Sequence, residues 1–255
     1  EASMEDWQKR TEEAGTISKT ENDLEIEKAL SIEKGVDMTF EESNDLRGNP
    51  NYAEQYLECD QNEATHSTTR NGVKVYLRKN PNYKKKYRIN CQSCVVANEM
   101  RRRGFDVQAA GNTANSIPKV LSRHTELAWL DADGNTPKSK VVSGVWNSDR
   151  AIYAKSLVAN LETATKAVGR YHIKWLWSNM RSGHIITCER LEDGTLRIYD
   201  PQNGKVIDDF VTYAKDFFLG DGIKVLRVDN LRLNTLYVGC LKGNKKKKAS
   251  KKKGK

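Results

Sequence analysis

The most informative part of the sequence is "GHIITCERLEDGTLRIYDPQNGK", residues 183–205. Apolar and polar residues alternate on both sides of the tripeptide Glu-Asp-Gly at 192–194, a pattern typical of two strands joined by a tight turn. The tripeptide fits a three-residue loop made of a type I turn and a left-handed glycine. Such a loop pairs Leu191 with Thr195 and fixes the register of the whole hairpin.

The predicted register assigns the side chains of this hairpin to two faces. Because side chains alternate along a strand, His184 and Asp200 fall on one face as diagonal neighbours, within reach of a hydrogen bond. Gln202 belongs to the same face. A two-residue turn would shift the register by one and separate His184 from Asp200. An imidazole oriented by a carboxylate is typical of a general base, which requires a nucleophile to serve.

The candidate nucleophile lies in a predicted helix, "NCQSCVVANEMRRRG", at residues 90–104. Asn90 is a good N-cap and Gly104 a good residue to end the helix. Cys91 would lie in the first turn, where the helix dipole and a nearby imidazolium stabilise a thiolate and backbone N–H groups can bind an oxyanion. Cys94 lies one turn further and is predicted to be a core thiol. Apolar residues surround most of the helix, which predicts a central, buried position.

The motifs N-C-x-x-C, G-H and D-P-Q, with "VLRVDNLRLNT" further on, resemble the papain-fold toxin family of polymorphic toxin systems, also found fused to phage minor head proteins. The resemblance covers about residues 80–241. It implies an α+β, papain-like cysteine-enzyme fold, with a central N-terminal helix packed on an antiparallel sheet. It also implies a protein-glutamine deamidase in which Cys91 is the nucleophile, His184 the general base and Asp200 its orienting carboxylate.

The same resemblance implies supporting residues and partners. Gln202 follows the D-P-Q motif and either assists the chemistry or supports the turn, while Asn90 precedes the nucleophile. No cofactor and no metal is expected. The candidate partners are a target protein as substrate, an immunity protein and a phage structural protein. The expected place of action is the cytoplasm of a target or host cell after delivery, or a virion.

Other functions stay open on the residues alone. A papain-like cysteine peptidase or isopeptidase would use the same triad on a backbone amide. A non-catalytic zinc module would combine the C-x-x-C pair with the histidine and cysteine at 184–188, although the long gap between them is atypical of small zinc modules. A nucleic-acid-binding module is suggested by "NYKKKYR" at residues 82–88, where tyrosines are interleaved with basic residues.

Charge and composition divide the chain of 255 residues, whose net charge is +9. Residues 1–50 carry 14 acidic and 6 basic side chains and are predicted to be an acidic, poorly structured extension or docking arm. Residues 51–79 are interpreted as a connecting segment and residues 80–241 as the catalytic domain. Residues 242–255 contain nine lysines and are predicted to be a disordered tail with non-specific attraction to nucleic acid or acidic surfaces.

Cellular context is constrained by the cysteines and the hydropathy. Five cysteines are an odd and sparse set, which indicates reduced thiols rather than a disulfide scaffold. No stretch approaches the ~20 apolar residues of a membrane helix, so a soluble chain without membrane contact is expected. The chain begins at Glu1 rather than methionine, as expected of a piece of a longer polypeptide.

Overall fold

The structure is a computed structural model that describes residues 20–43 and 49–244. It is a mixed α+β protein with antiparallel sheets. The described α-helices are α1 (Glu21–Leu30), α2 (Phe40–Ser43), α3 (Cys91–Arg102), α4 (Ile117–Leu121), α5 (Arg150–Ala164) and α6 (Phe210–Ala214). The described strands are β1 (Tyr56–Glu58), β2 (His66–Arg70), β3 (Val73–Lys79), β4 (Val107–Ala109), β5 (Trp129–Leu130), β6 (Lys140–Val142), β7 (Gly169–Leu176), β8 (Gly183–Arg190), β9 (Leu196–Asp200), β10 (Lys205–Val206), β11 (Ile223–Arg227), β12 (Arg232–Leu233) and β13 (Leu241–Gly243).

The central sheet has six strands in the order β10-β9-β8-β7-β11-β6, and each neighbouring pair is antiparallel. Helix α3 packs against one face, where Ile185 of β8 joins its apolar cluster. Residues of α5 and α6 cover the other face together with Ile186 and Cys188. Strand alternation places Ile185 with Thr187 and Glu189 on the more polar face of the hairpin, which predicts that the core lies on the other face. The structure instead buries both faces of β8, because a helix lies on each side of the sheet.

The bulged turn predicted for the central hairpin is confirmed. Arg190 pairs with Leu196, and the Leu191 N–H donates to the Thr195 carbonyl at 2.8 Å. Gly194 has a φ of 88°, the left-handed conformation that the three-residue loop requires. The register predicted from the tripeptide is therefore the register of β8 and β9, including the face that each side chain occupies.

Helix α3 is buried against one face of the central sheet, as the apolar residues around most of the helix predict. Every residue from 92 to 101 is buried. Arg102, near its C-terminal end, makes a bidentate ion pair with Glu189 of β8, with N–O distances of 2.6 and 2.8 Å. Glu99 binds Arg170 of β7 through two oxygens at 2.7 Å. The charged residues of this helix thus fix it on the sheet, because a buried charge requires a partner.

The described part of the acidic extension, residues 20–43, packs against this body. Thr20 caps α1 by accepting a hydrogen bond from the Asp23 N–H, and Ile26 is fully buried in the cluster around α3. Asn22 exchanges two hydrogen bonds with the backbone of Leu233. The acidic composition gave no sign of this packing, which depends on a few apolar side chains, Ile26, Leu30 and Ile32 among them, and on a few specific bonds. The rest of the extension and nearly all of the lysine-rich tail lie outside the described residues.

Residues 51–79, interpreted from sequence as a connecting segment, contain a separate three-stranded antiparallel sheet in the order β1-β3-β2. None of the residues in its three strands is buried. This small sheet therefore projects from the body, and the chain passes from it through a short 3-10 turn, Lys85–Tyr87, to the start of α3.

Two elements after the hairpin differ from their predictions. Apolar residues at helical spacing from Val206 to Phe218 predict an amphipathic helix, but α6 covers only Phe210–Ala214, because Val206 pairs with Tyr199 and the Asp209 side chain caps the helix. The run "TLYVGCL" at residues 235–241 predicts a closing strand, but Thr235–Cys240 is a 3-10 helix. Within the described ranges, no helix has the length and apolar character needed to cross a membrane.

Gly104→Ala is expected to destabilise the protein by about 3 kcal/mol or more. Gly104 has a φ of 92°, and a Cβ there would lie 2.5 Å from the Gly35 carbonyl oxygen and 2.6 Å from that of Val36. Gly72→Ala is the matched control, because its φ is 76° and nothing lies within 4 Å. It should cost only the left-handed strain, about 1 kcal/mol. Chemical unfolding measures both, and equal losses would contradict the steric explanation.

Candidate active site

The start of α3 and the open end of the hairpin meet at one site. Cys91 is the first residue of α3, His184 the second residue of β8 and Asp200 the last residue of β9. The His184 Nε2 lies 2.6 Å from Asp200 Oδ2. The Cys91 thiol donates to Gln92 Oε1 at 3.6 Å and lies close enough to the His184 ring to influence its pKa. The structure therefore brings together the three residues that the sequence assigned to one site, with the imidazole between thiol and carboxylate.

The electrostatics of this group centre on His184, whose side chain is 12% exposed beside an Asp200 side chain that is 4% exposed. Burial by itself lowers the pKa of His184. The hydrogen bond to Asp200, the neighbouring Cys91 thiol and the negative charges of both outweigh burial and raise that pKa to about 10. His184 is therefore a cation at neutral pH. Because its Nε2–H binds Asp200, Nδ1 is the ring nitrogen left for the thiol.

The D-P-Q turn holds the carboxylate in place. The Gln202 N–H donates to Asp200 Oδ1 at 2.9 Å, and the Gly204 N–H donates to the Asp200 carbonyl at 2.8 Å. The buried Gln202 side chain donates through Nε2 to Asn90 Oδ1 at 3.3 Å. Of the two roles that the sequence left open for Gln202, the observed contacts are those of a supporting residue, which joins the turn to the start of α3.

Asn90 occupies the predicted N-cap position, but its side chain does not cap the helix. It is fully buried, and its Nδ2 donates to the Ala110 carbonyl at 3.0 Å while its Oδ1 accepts from Gln202. In residues 20–43 and 49–244, no acceptor binds the backbone N–H of Cys91 or Gln92. These two donors, at the positive end of the helix dipole, are available for an oxyanion.

The two cysteines of the C-x-x-C pair have different environments. Cys94 is 1% exposed, and its Sγ donates to Asn90 Oδ1 at 3.4 Å. Burial raises the pKa of the Cys94 thiol well above its usual value, and the charges of Cys91 and Asp200 raise it further. Cys94 is therefore a protonated thiol of the core. Cys91 is only half-buried and lies at the start of α3, near His184.

The zinc arrangement considered from sequence is not assembled. Cys94 belongs to the core around α3, whereas Cys188 belongs to the core on the other side of the sheet. Over the part of the chain that the structure describes, no group of three or more His, Cys, Asp or Glu side chains could hold a metal ion. The C-x-x-C spacing here reflects one thiol beside a histidine and one inside the core.

Trp175 and Trp177 alternate with Leu176 along a strand, a pattern that predicts packing and gives no sign of the aromatic wall found around His184. Trp177 stacks on the His184 ring with centroids 6.2 Å apart, and Trp175 meets it edge-on at 5.7 Å. Tyr213 contacts both tryptophans. The G-H motif fits this wall, because a Cβ on Gly183 would lie 2.6 Å from the Trp175 carbonyl oxygen. These contacts depend on the pairing of β7 with β8, which the local pattern of the sequence does not specify.

Comparison with known proteins adds no assignment: no protein-family model and no curated protein matches this chain. Function is therefore inferred from the chemistry of the site. A thiol beside an imidazolium, a carboxylate behind the ring and two free N–H groups are the parts needed to attack a carbonyl carbon and stabilise the oxyanion that results. The catalytic roles of Cys91, His184 and Asp200 remain predictions.

Proposed function

We propose that this chain is a cysteine-dependent amidohydrolase with a papain-like fold that deamidates glutamine side chains of a target protein, as a toxin, effector or phage-associated domain. The observation that carries the proposal is the convergence of the Cys91 thiol, the His184 imidazolium and the Asp200 carboxylate. The choice of glutamine as substrate comes from the resemblance of the N-C-x-x-C, G-H and D-P-Q motifs. The central helix on an antiparallel sheet is consistent with the proposed fold.

In the first half of the reaction, the Cys91 thiolate attacks the carboxamide carbon and forms a C–S bond. The oxyanion is held by the backbone N–H groups of Cys91 and Gln92. The His184 imidazolium then gives its proton to the amide nitrogen, the C–N bond breaks and ammonia leaves. The product of this half is a thioester between Cys91 and the former glutamine, with His184 now neutral.

In the second half, neutral His184 takes a proton from a water molecule that attacks the thioester carbon. The C–S bond breaks, glutamate is released, and the thiolate and imidazolium are restored. Asp200 keeps the ring oriented through Nε2 and stabilises its positive charge in both halves. Trp175 and Trp177 pack against the ring, which restricts it to this orientation.

The proposal is tested by incubating the chain with a protein extract and measuring ammonia release together with intact masses. Amide-to-acid conversion on uncut chains is the expected result, and Cys91→Ala protein is the control. Fragments without amide-to-acid conversion would instead identify a cysteine peptidase or isopeptidase. Stoichiometric zinc in the purified protein, with no thiol that reacts rapidly with iodoacetamide, would contradict an enzyme of either kind. Capture of proteins by the Cys91→Ala variant would then identify the target.

A further inference from the structure

A basic segment leads directly to the proposed nucleophile. We define it as residues 74–88, which run from β3 through a loop and the 3-10 turn and end three residues before Cys91. It contains no Asp or Glu. Its basic residues are Lys74, Arg78, Lys79, Lys84, Lys85, Lys86 and Arg88. So dense a run of one charge is unfavourable for folding, which suggests that it serves an interaction.

Most of this charge is not neutralised within the protein. Arg88 forms an ion pair with Glu54 at 3.4 Å. The other six basic side chains have no acidic partner in the described ranges. All of them except Lys86 are exposed. The segment therefore presents unpaired positive charge to solvent, where it attracts a polyanionic partner.

The segment is fixed beside the candidate active site. The Asn112 N–H donates to the Lys86 carbonyl at 2.8 Å, and the Asn112 side chain donates to the Ile89 carbonyl at the same distance. Two residues earlier, the Ala110 carbonyl accepts from the Asn90 side chain. One loop therefore holds both the 3-10 turn of the basic segment and the residue that precedes Cys91. Whatever binds the turn is brought close to the thiol.

The contacts of the tyrosines favour an acidic polypeptide over a nucleic acid. Lys74 lies over the Tyr76 ring at 5.3 Å, and Lys86 lies over the buried Tyr87 ring at 5.2 Å. A lysine covers one face of each of these two rings, which leaves half-buried Tyr83 as the remaining tyrosine of the segment, whereas single-stranded nucleic acid stacks successive bases on free ring faces. Strand β2 is also one of the two outer strands of its sheet and is exposed along its whole length. Its free edge offers backbone hydrogen bonds to an extended polypeptide.

We propose that the basic segment and the free edge of β2 dock an acidic, extended segment of the substrate protein and so deliver a nearby glutamine to Cys91. Carboxylates of that segment pair with the unneutralised lysines, and its backbone extends the small sheet. Calling the partner a substrate rests on the proposed deamidase function; the docking itself does not. The preferred glutamines are therefore those in acidic regions of the target.

Binding is measured on the full chain carrying Cys91→Ala, so that no turnover intervenes. The probe is a fluorescent peptide with one glutamine flanked by glutamates, compared with its lysine-flanked counterpart and with a single-stranded RNA. The triple variant K84E/K85E/K86E is expected to lower affinity for the acidic peptide at least about tenfold. Added salt is expected to weaken binding of the acidic peptide to the protein that keeps these three lysines. The variant K138E/K155E/K166E makes the same change of charge at three exposed lysines on other surfaces and should alter affinity less than about twofold.

A second variant, K74E/R78E, keeps the test valid if the triple variant fails to fold, because it lies on the projecting sheet rather than beside α3. Tighter binding of RNA than of the acidic peptide, equal losses in the control variant, or no binding of the acidic peptide would each overturn the proposal. Absence of deamidation by the wild type with binding intact would overturn the proposed activity but not the docking surface.

Discussion

Cys91→Ala is expected to lower the rate of amide hydrolysis roughly 10⁶-fold while the protein stays folded. Without the thiolate no thioester forms, and His184 and Asp200 are left with no nucleophile to serve. Cys91 is only half-buried, so the loss of its sulfur should cost less than about 1 kcal/mol of unfolding free energy. Ammonia release measures the rate, and chemical unfolding measures the stability.

Cys94→Ala is the matched control, since it removes the same atom one turn further along α3. It should leave hydrolysis measurable but lower the free energy of unfolding by about 1–2 kcal/mol, because Cys94 is buried and donates to Asn90. The two variants therefore separate chemistry from packing. Loss of activity in Cys94→Ala, with activity retained in Cys91→Ala, would reverse the assignment of the two thiols.

Local signals in the sequence were enough to predict the half of the site that the hairpin supplies. The tripeptide before Thr195 specifies a bulged turn, and strand alternation then places His184 and Asp200 on one face without knowledge of the rest of the fold. The end of α3 was predictable for the same reason, since Gly104 is the residue that a left-handed position favours. In each case the residues that determine the geometry are neighbours in sequence.

Contacts between distant elements were not predictable from these signals. Propensity and periodicity predict individual elements but do not determine which of their faces come into contact. The pairing of Trp175 with His184, the ion pair between Arg102 and Glu189 and the packing of α1 on the core were therefore not predicted. Asn90 is one residue whose side-chain contacts the helix-capping rule did not predict. Its position was correct, but long-range partners, Gln202 and the Ala110 carbonyl, take the side chain that a local rule assigns to the helix.

Asp200→Asn is expected to lower kcat/KM by roughly 10²–10⁴-fold and to move the alkaline limb of its pH profile to lower pH. In the wild type, hydrogen bonds and negative charge raise the pKa of His184 to about 10, so the proton needed by departing ammonia is present until pH approaches that value. Without the Asp200 charge the pKa falls, and the imidazolium is lost at lower pH. The rate is measured from neutral pH to above the wild-type limb.

The free energy of unfolding should also fall as pH rises towards the pKa of His184. A pKa raised above the usual value of 6.5 stabilises the fold fully below pH 6.5, and this contribution disappears as pH rises through about 10. The wild type should therefore lose more unfolding free energy than Asp200→Asn across that window. Asp193→Asn in the exposed hairpin turn is the control, because it makes the same chemical change at the opposite end of the hairpin and should alter neither profile.

The geometry gives a reason why an amide cannot replace this carboxylate. Asp200 accepts two hydrogen bonds, from His184 at Oδ2 and from the Gln202 N–H at Oδ1. An asparagine has one acceptor oxygen, so its NH₂ group must face either the Gln202 N–H, which is also a donor, or the histidine. Facing the histidine, it forces Nε2 to accept and places the ring proton on Nδ1, beside the thiol that should lose its own proton. An unchanged alkaline limb in Asp200→Asn would show that Asp200 does not control the protonation of His184.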